Sequence, residues 1–300
     1  MKIVAWIASV TLGEFMKRII CLLLIICLLG GCTTAPKEDK YNVVASFYPV
    51  MLITKMATEG IDEIEVNILA PADTGCLHDY VLLPDDLKNL EKADLFVTNG
   101  LGMESFINKI TEQLPNLNTA DLSQGIIPFN DNSHIWLTPS NVKVMLNNIC
   151  EVLTKDLPQF GNKISANREK YQKMLDGLDG EIKKADFGGE KVITCHEAFD
   201  YFANQYNLTV VGTVMSEHGQ EPSVKELVET TDMVKETGVK IILAEPQYET
   251  DTVKTVSQET GAEIYMLDPI VTGDKNDLPQ VYFDKMRENT STLIKAIRKD

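Results

Sequence analysis

The stretch NKISANREKYQKMLDGLDGEIKK, residues 162–184, decides how the rest of the chain is organised. It contains no β-rich run, and its only helix-weakening residues are Gly177 and Gly180. Apolar side chains recur along it at multiples of the helical spacing of three or four residues, at Ile164, Tyr171, Leu175, Leu178 and Ile182. This pattern predicts one long amphipathic helix.

Short apolar runs alternate with helical patterns on both sides of this helix. They are VVASF (43–47), EVNIL (65–69), DLFVTNG (94–100), KVITC (191–195), TVVGTV (209–214), KIILAE (240–245) and EIYMLD (263–268). Continuous apolar strands separated by helices are typical of parallel sheets covered on both faces. We therefore predict an α/β protein with an N-terminal lobe over 41–160, a linking helix over 161–186 and a C-terminal lobe over 187–300.

Two helix starts can also be predicted. Thr138 and Pro139 form a candidate N-cap followed by proline at the first helical position. Ser223 and Glu226 have the spacing of a capping box.

The composition excludes several classes of protein. A hydrophobic content of 44% with 24% charged residues is typical of a folded globular chain. The 28 basic residues against 44 acidic ones give a net charge of -16, which argues against nucleic acid as a partner. The same acidic balance would raise the local concentration of cations without establishing a cation site.

The N-terminal segment has the pattern of a secretion signal. An apolar run of eleven residues, IICLLLIICLL, follows the basic sequence MKR and is too short for a membrane span of about 20 residues. The LGGC sequence that ends at Cys32 resembles a bacterial lipobox, which predicts cleavage before Cys32 and acylation of its thiol. The alternative is an ordinary signal peptide with a chance cysteine. We expect a signal region over 1–31 with its natural start at Met16, and a polar tether over 32–40.

The chain has only four histidines, His78, His134, His196 and His218, and each falls in a predicted loop. Ligands of parallel sheets bind beyond the carboxyl ends of the strands, where His78, His196 and His218 lie. Asp268 ends the last predicted strand. Three neutral imidazoles and one carboxylate suit tetrahedral zinc, although no local spacing such as HExxH supports a site.

Several motifs resemble a known family in the order in which they occur. They are PADTGCLHDYVLLPDDLKNLEKADLFVTNGLGME, HIWLTPSN, HEAFDYFANQYNL, EPS, AEPQY and YMLDPI. Together they resemble the metal-binding solute-receptor lipoproteins of ABC importers, the cluster A-I group that supplies zinc or manganese. The resemblance extends from about Tyr41 to the C-terminus.

The resemblance implies two similar lobes bridged by a rigid helix, with the metal in the cleft between them. It implies His78, His134, His196 and Asp268 as the metal ligands. Manganese members usually have glutamate at the third position, so His196 favours zinc. The implied function is an extracytoplasmic receptor, lipid-anchored to the cell membrane, that captures Zn²⁺ and delivers it to an ABC permease.

The chain also departs from the family pattern. Cys76 and Leu77 replace the acidic-proline pair before the first histidine, and Ser133 replaces the proline before the second. The segment 114–133 lacks the histidine-rich loop of many zinc receptors. These departures remove none of the implied ligands.

Other residues near the implied ligands could have several roles. Cys76 and Cys195 could bind zinc as thiolates or pair as a disulfide, but we expect each to behave as a small buried apolar residue. We expect Glu245 to orient a ligand by a hydrogen bond. His218 could be a gate, a residue behind the ligands or a bystander.

Three other functions compete with a zinc receptor. One is a manganese receptor of the same family. Another is a zinc hydrolase or lyase, which needs an open position on the metal for water. A fourth protein ligand would close that position. The third is a surface adhesin, for which a buried metal site is unnecessary. We expect no enzymatic activity.

Overall fold

A computed structural model describes residues 40–77, 80–215, 220–248 and 251–298. The predicted signal and lipid-attachment residues precede Lys40 and lie outside these ranges. Within the described ranges, no helix combines the length and the apolar character that crossing a membrane requires.

The elements alternate between strand and helix along the chain. In chain order they are β1 (Tyr41–Ala45), α1 (Tyr48–Thr58), β2 (Ile64–Ile68), α2 (Pro84–Leu90), β3 (Leu95–Thr98), α3 (Ile107–Gln113), β4 (Thr119–Asp121), α4 (Pro139–Asp156), α5 (Gly161–Ala185), β5 (Lys191–Thr194), α6 (Asp200–Gln205), β6 (Thr209–Thr213), α7 (Val224–Thr237), β7 (Ile241–Ala244), α8 (Asp251–Thr260), β8 (Glu263–Met266) and α9 (Gln280–Arg298).

The strands form two four-stranded sheets in which every pair is parallel. The strand order is β2-β1-β3-β4 in the first sheet and β6-β5-β7-β8 in the second, so both sheets have the same topology. All seven predicted runs form strands, whereas β4 was not predicted. The prediction of two α/β lobes with parallel sheets flanked by helices is confirmed. The limits given above for the lobes stay a prediction.

Helix α5 buries the apolar face that its sequence predicts. Its five spaced apolar side chains are all buried, together with Asn167 and Ala185. The helix packs against α1, α4 and α9, and the rings of Tyr171 and Phe283 stack with centroids 6.2 Å apart. Asn167 donates from Nδ2 to the carbonyl oxygens of Ala57 and Glu59, at 3.0 and 2.9 Å. The helix is therefore held by packing and by hydrogen bonds at the end of α1.

The two predicted helix starts have different chemistry. Helix α7 begins with the expected capping box, in which the Ser223 hydroxyl and the Glu226 carboxylate each accept from the other residue's backbone N–H. Helix α4 begins at Pro139 as expected, but the Thr138 side chain makes no capping hydrogen bond. Proline at the first position lacks an N–H, which reduces the number of donors that a cap has to satisfy.

Buried hydrogen bonds tie the segment before α4 to the segment after β8. Trp136 is fully buried and donates from Nε1 to the Pro269 carbonyl oxygen at 2.8 Å. The Tyr282 hydroxyl donates to the Trp136 carbonyl oxygen at 2.9 Å. These contacts join residues of the first half of the chain to residues near its end, beside the loops that carry the implied ligands.

Candidate metal centre

The second sheet presents two polar side chains at its topological switch point. Strands β5 and β7 are neighbours, and the strand order reverses between them, which is where ligands bind in open parallel sheets. His196 lies two residues after β5, and Glu245 comes directly after β7. Both side chains are fully buried.

His196 is held by the carboxylate of Glu245. The distance from His196 Nδ1 to Glu245 Oε1 is 2.7 Å, so Nδ1–H donates to the carboxylate and leaves Nε2 with a lone pair. Burial lowers the pKa of His196, but the charge and the hydrogen bond of Glu245 outweigh burial, so the pKa is raised overall. A carboxylate behind an imidazole fixes the ring orientation and makes the other nitrogen a better metal donor.

His134 is held in the same way by a neutral group. Asn132 Oδ1 accepts from the backbone N–H of His134 at 2.7 Å and lies 2.9 Å from its Nδ1. The amide oxygen can only accept, so the ring proton is on Nδ1 and Nε2 has the lone pair. The ring is fully buried, with its centroid 5.0 Å from that of His196.

Asn132 also connects the two histidine loops. The Asn132 Nδ2 donates to the backbone carbonyl oxygen of Glu197 at 2.6 Å. The backbone carbonyl oxygen of Asn132 accepts from the Tyr201 hydroxyl at 3.0 Å. At the end of β3, the buried Asn99 donates from Nδ2 to the Ser133 carbonyl oxygen at 2.9 Å. The backbone around His134 is therefore fixed from both sheets.

Cys76 completes a cluster of three potential metal donors. Its Sγ lies 3.6 Å from His134 Nε2 and 3.9 Å from His196 Nε2. The three ligand atoms all lie within 4.8 Å of one another. Burial raises the pKa of the Cys76 thiol well above its usual range, and the charges of Glu245 and Glu197 raise it further. Without a metal, Cys76 is therefore a neutral thiol.

Asp268 does not belong to this cluster in the described structure. Its Oδ1 accepts from the backbone N–H of Ile270 at 2.7 Å, and its Oδ2 is paired with Lys285. Asn289 of α9 bonds the Asp268 backbone N–H and carbonyl at 2.8 and 2.7 Å. Metal ligation by Asp268 stays a prediction.

Four further residues singled out in the sequence are His78, His218, Cys195 and Cys76. His78 and His218 lie outside the described residues. Cys195 is a buried free thiol that faces the Tyr248 carbonyl oxygen at 3.8 Å. Cys76 is also a free thiol and packs against the main apolar core, and it lies beside the ring nitrogen of His134 as well.

Sequence reasoning missed the contribution of Asn132. An asparagine two residues before the histidine is a local signal, because its side chain commonly bonds the backbone two residues on. That pattern predicts the turn but does not predict the contact with the imidazole, since the ring orientation depends on its packing against Trp136.

Comparison with known proteins identifies relatives over most of the chain. The family model of the zinc-uptake complex component A, periplasmic (ZnuA), matches residues 43–296. The high-affinity zinc uptake system protein ZnuA of Bacillus subtilis is 28% identical over 282 residues, covering 86% of this chain and 88% of that protein.

Solved structures share the fold. The solute-binding protein FpvC from Pseudomonas aeruginosa in complex with Mn²⁺ has a TM-score of 0.80 and 26% identity, over 87% of this chain and 99% of that one. The Zn(II)-bound ZnuA-like domain of Streptococcus pneumoniae AdcA has a TM-score of 0.73 and 25% identity, over 86% of this chain and 99% of that domain.

Proposed function

Because the chain belongs to the ZnuA family, the periplasmic component A of zinc-uptake complexes, we propose that it captures Zn²⁺ and delivers it to the permease of an ABC importer. The family consists of extracytoplasmic, metal-binding solute receptors and not of enzymes. A zinc hydrolase or lyase is therefore no longer an alternative, and the metal is cargo.

One observation carries the proposal. The Nε2 atoms of His134 and His196 lie 3.6 and 3.9 Å from the same atom, Cys76 Sγ, and the Nδ1 atoms of both rings are already bound to Asn132 and Glu245. Both rings are completely buried, and Cys76 Sγ lies beside both Nε2 atoms. Imidazole nitrogen and cysteine sulfur are the donors that Zn²⁺ accepts in proteins, so this group of three atoms supports a metal site.

The donor types favour zinc over manganese. Imidazole suits Zn²⁺, whereas carboxylate, carbonyl and water oxygens suit Mn²⁺. Manganese is the second candidate, because the similar FpvC structure contains Mn²⁺. The two candidates differ in the number of oxygen donors that they require.

Metal competition tests the choice. Protein purified without chelator or added metal should contain about one equivalent of zinc, and Mn²⁺ should fail to displace it in a calorimetric competition. His134→Ala and His196→Ala should each lower the zinc affinity by orders of magnitude while the circular dichroism spectrum stays unchanged. A preference for Mn²⁺ over Zn²⁺ would contradict the proposal and favour the manganese receptor.

Delivery to a permease is tested in cells. A bacterium that lacks this chain but keeps its importer should lose zinc accumulation in zinc-poor medium. The wild-type chain should restore accumulation, and the His134→Ala, His196→Ala double variant should not. Equal restoration by both chains would contradict a role in metal delivery.

We also propose that acylated Cys32, which lies outside the described residues, holds the receptor at the outer face of the membrane. One acyl chain gives only marginal binding, so a stable anchor needs more than one. Cys32→Ser should move the protein from the membrane to the soluble extracytoplasmic fraction. A wild-type protein that is wholly soluble would contradict the anchor and leave the receptor function standing.

A further inference from the structure

The sulfur–nitrogen distances of the candidate metal centre are close to those of a zinc coordination shell. A tetrahedral zinc ion with bonds of about 2.0–2.1 Å to nitrogen and about 2.3 Å to sulfur separates neighbouring donors by roughly 3.5 Å. Cys76 Sγ lies 3.6 Å from His134 Nε2 and 3.9 Å from His196 Nε2. Both sulfur–nitrogen distances therefore lie within a few tenths of an ångström of those in a tetrahedral zinc shell. The three donor atoms all lie within 4.8 Å of one another.

The ring nitrogens that face Cys76 are the Nε2 atoms of both histidines. His134 Nδ1 is bonded to Asn132, and His196 Nδ1 is bonded to Glu245. The hydrogen bond at one ring nitrogen decides which nitrogen binds the metal, so Nε2 is the donor in both rings. The sulfur atom lies on the side of both rings from which the metal has to bind.

The loop around Cys76 positions its side chain from both sides. A turn from Thr74 N to Pro71 O, at 2.9 Å, leads into Gly75, whose φ of +87° is accessible mainly to glycine. After Cys76, the side chain of Leu77 is completely buried. Cys76 therefore lies between a turn and an apolar anchor, which restricts the direction of its side chain.

We propose that Cys76 is a direct ligand of the bound metal, together with His134 and His196, so that the centre contains a thiolate. This inference rests on the proposed metal-receptor function and adds a residue to its site. As the metal–sulfur bond forms, the thiol proton leaves to solvent, because a coordinating thiol is deprotonated. A thiolate makes the centre softer and selects Zn²⁺ against Mn²⁺.

The other two described cysteines provide matched controls. Cys195 lies next to His196 in sequence, but its Sγ faces the Tyr248 carbonyl oxygen in a separate apolar cluster. Cys150 is buried in α4 among the apolar residues of the main core. Neither belongs to the group of three metal donors.

X-ray absorption of the zinc-loaded full chain tests the proposal. The wild type should show one sulfur neighbour at about 2.3 Å from zinc. Cys76→Ser should lose this sulfur and at least about tenfold in zinc affinity, which is the lower end of the cost of losing even a supporting partner. Cys150→Ala and Cys195→Ala should keep the sulfur. The excess of zinc over manganese affinity should shrink in Cys76→Ser alone.

The outcomes separate this inference from the proposed function. A wild type that binds one zinc without a sulfur neighbour overturns the ligand role of Cys76 and leaves the receptor standing. A sulfur neighbour that survives Cys76→Ser also overturns it, whereas absence of zinc binding by the wild type overturns the proposed zinc receptor. If Cys76→Ser fails to fold, the cobalt-loaded wild type decides, since a sulfur-to-cobalt charge-transfer band in the near ultraviolet supports a thiolate and its absence overturns it.

Discussion

Glu245 sets the basicity of the His196 ring. Its carboxylate raises the pKa of His196 against the opposing effect of burial. Protonation of His196 places the second ring proton on Nε2, the nitrogen that faces Cys76. Protons therefore compete with the metal at this ring from a pH above the usual histidine pKa of about 6.5.

Glu245→Gln should weaken zinc binding at pH 8 by about 10–100-fold, as is typical when the group behind a ligand is changed. The pKa of His196 should fall because the negative charge is lost. The acid-side decline in affinity should therefore move to lower pH in the variant. Calorimetric zinc titrations between about pH 5 and 8 measure both effects. An unchanged decline in Glu245→Gln would mean that another group governs it.

Asp268→Ala should cost less zinc affinity than His134→Ala or His196→Ala. The Asp268 carboxylate is already engaged by Lys285 and by the backbone of Ile270, and a water molecule could replace it at the metal. Asp268→Asn is the matched control because it keeps the size of the side chain. Calorimetry measures the order of the affinities, and an equal or larger loss in Asp268→Ala would identify Asp268 as a dominant ligand.

The residue types predict the candidate site only in part. His134, His196 and Glu245 could be assigned to loops beside strand ends because each follows or precedes a readable element. Local patterns do not place Cys76 beside these histidines, since 58 residues separate it from His134 and 120 from His196, and only the family resemblance brought it near the implied ligands. Such contacts depend on how the two sheets are placed, which local sequence patterns do not encode.

At the scale of elements, β4 shows where the strand pattern fails. Its three residues, Thr119, Ala120 and Asp121, contain one small apolar side chain, and only Ala120 is buried. An edge strand this short has too few apolar positions to produce a periodic signal. The long helix α5 could be predicted because five apolar residues at helical spacing lie on one face.

The junction between β3 and β4 gives an element-scale prediction. Gly100 has a φ of +86°, and a Cβ there would overlap Asp121 Oδ1 and Ser123 Oγ. Gly102 has a φ of +83°, but nothing lies within 4 Å of its Cβ position. Gly102→Ala should therefore cost only the backbone strain, about 1–2 kcal/mol. Gly100→Ala should cost about 1–3 kcal/mol more, because Asp121 and Ser123 have to move.

Urea unfolding of both variants measures the difference. Equal losses of unfolding free energy would show that the β3–β4 junction rearranges without cost.

For the whole molecule, zinc should raise the melting temperature. A centre assembled from distant loops binds only the folded chain, so zinc at 100 times its Kd should add about 2.7 kcal/mol of stability. In a domain of this size, that corresponds to a rise of several degrees. Differential scanning calorimetry with zinc or chelator measures the shift. A His134→Ala, His196→Ala double variant should show no shift, and an equal one would place the zinc on the acidic surface.

The packing of α5 has a consequence for the kinetics of metal exchange. This helix is held at once by α1, α4 and α9, and Arg287 of α9 forms two hydrogen bonds with Glu181 of α5, at 2.7 and 3.1 Å. Because this packing restricts movement of the helix, we expect the chain to rearrange little around the ion, so that little free energy is lost in preorganising the donors. We therefore expect the metal to leave slowly by itself, so that a protein that unloads the site would have to force it open.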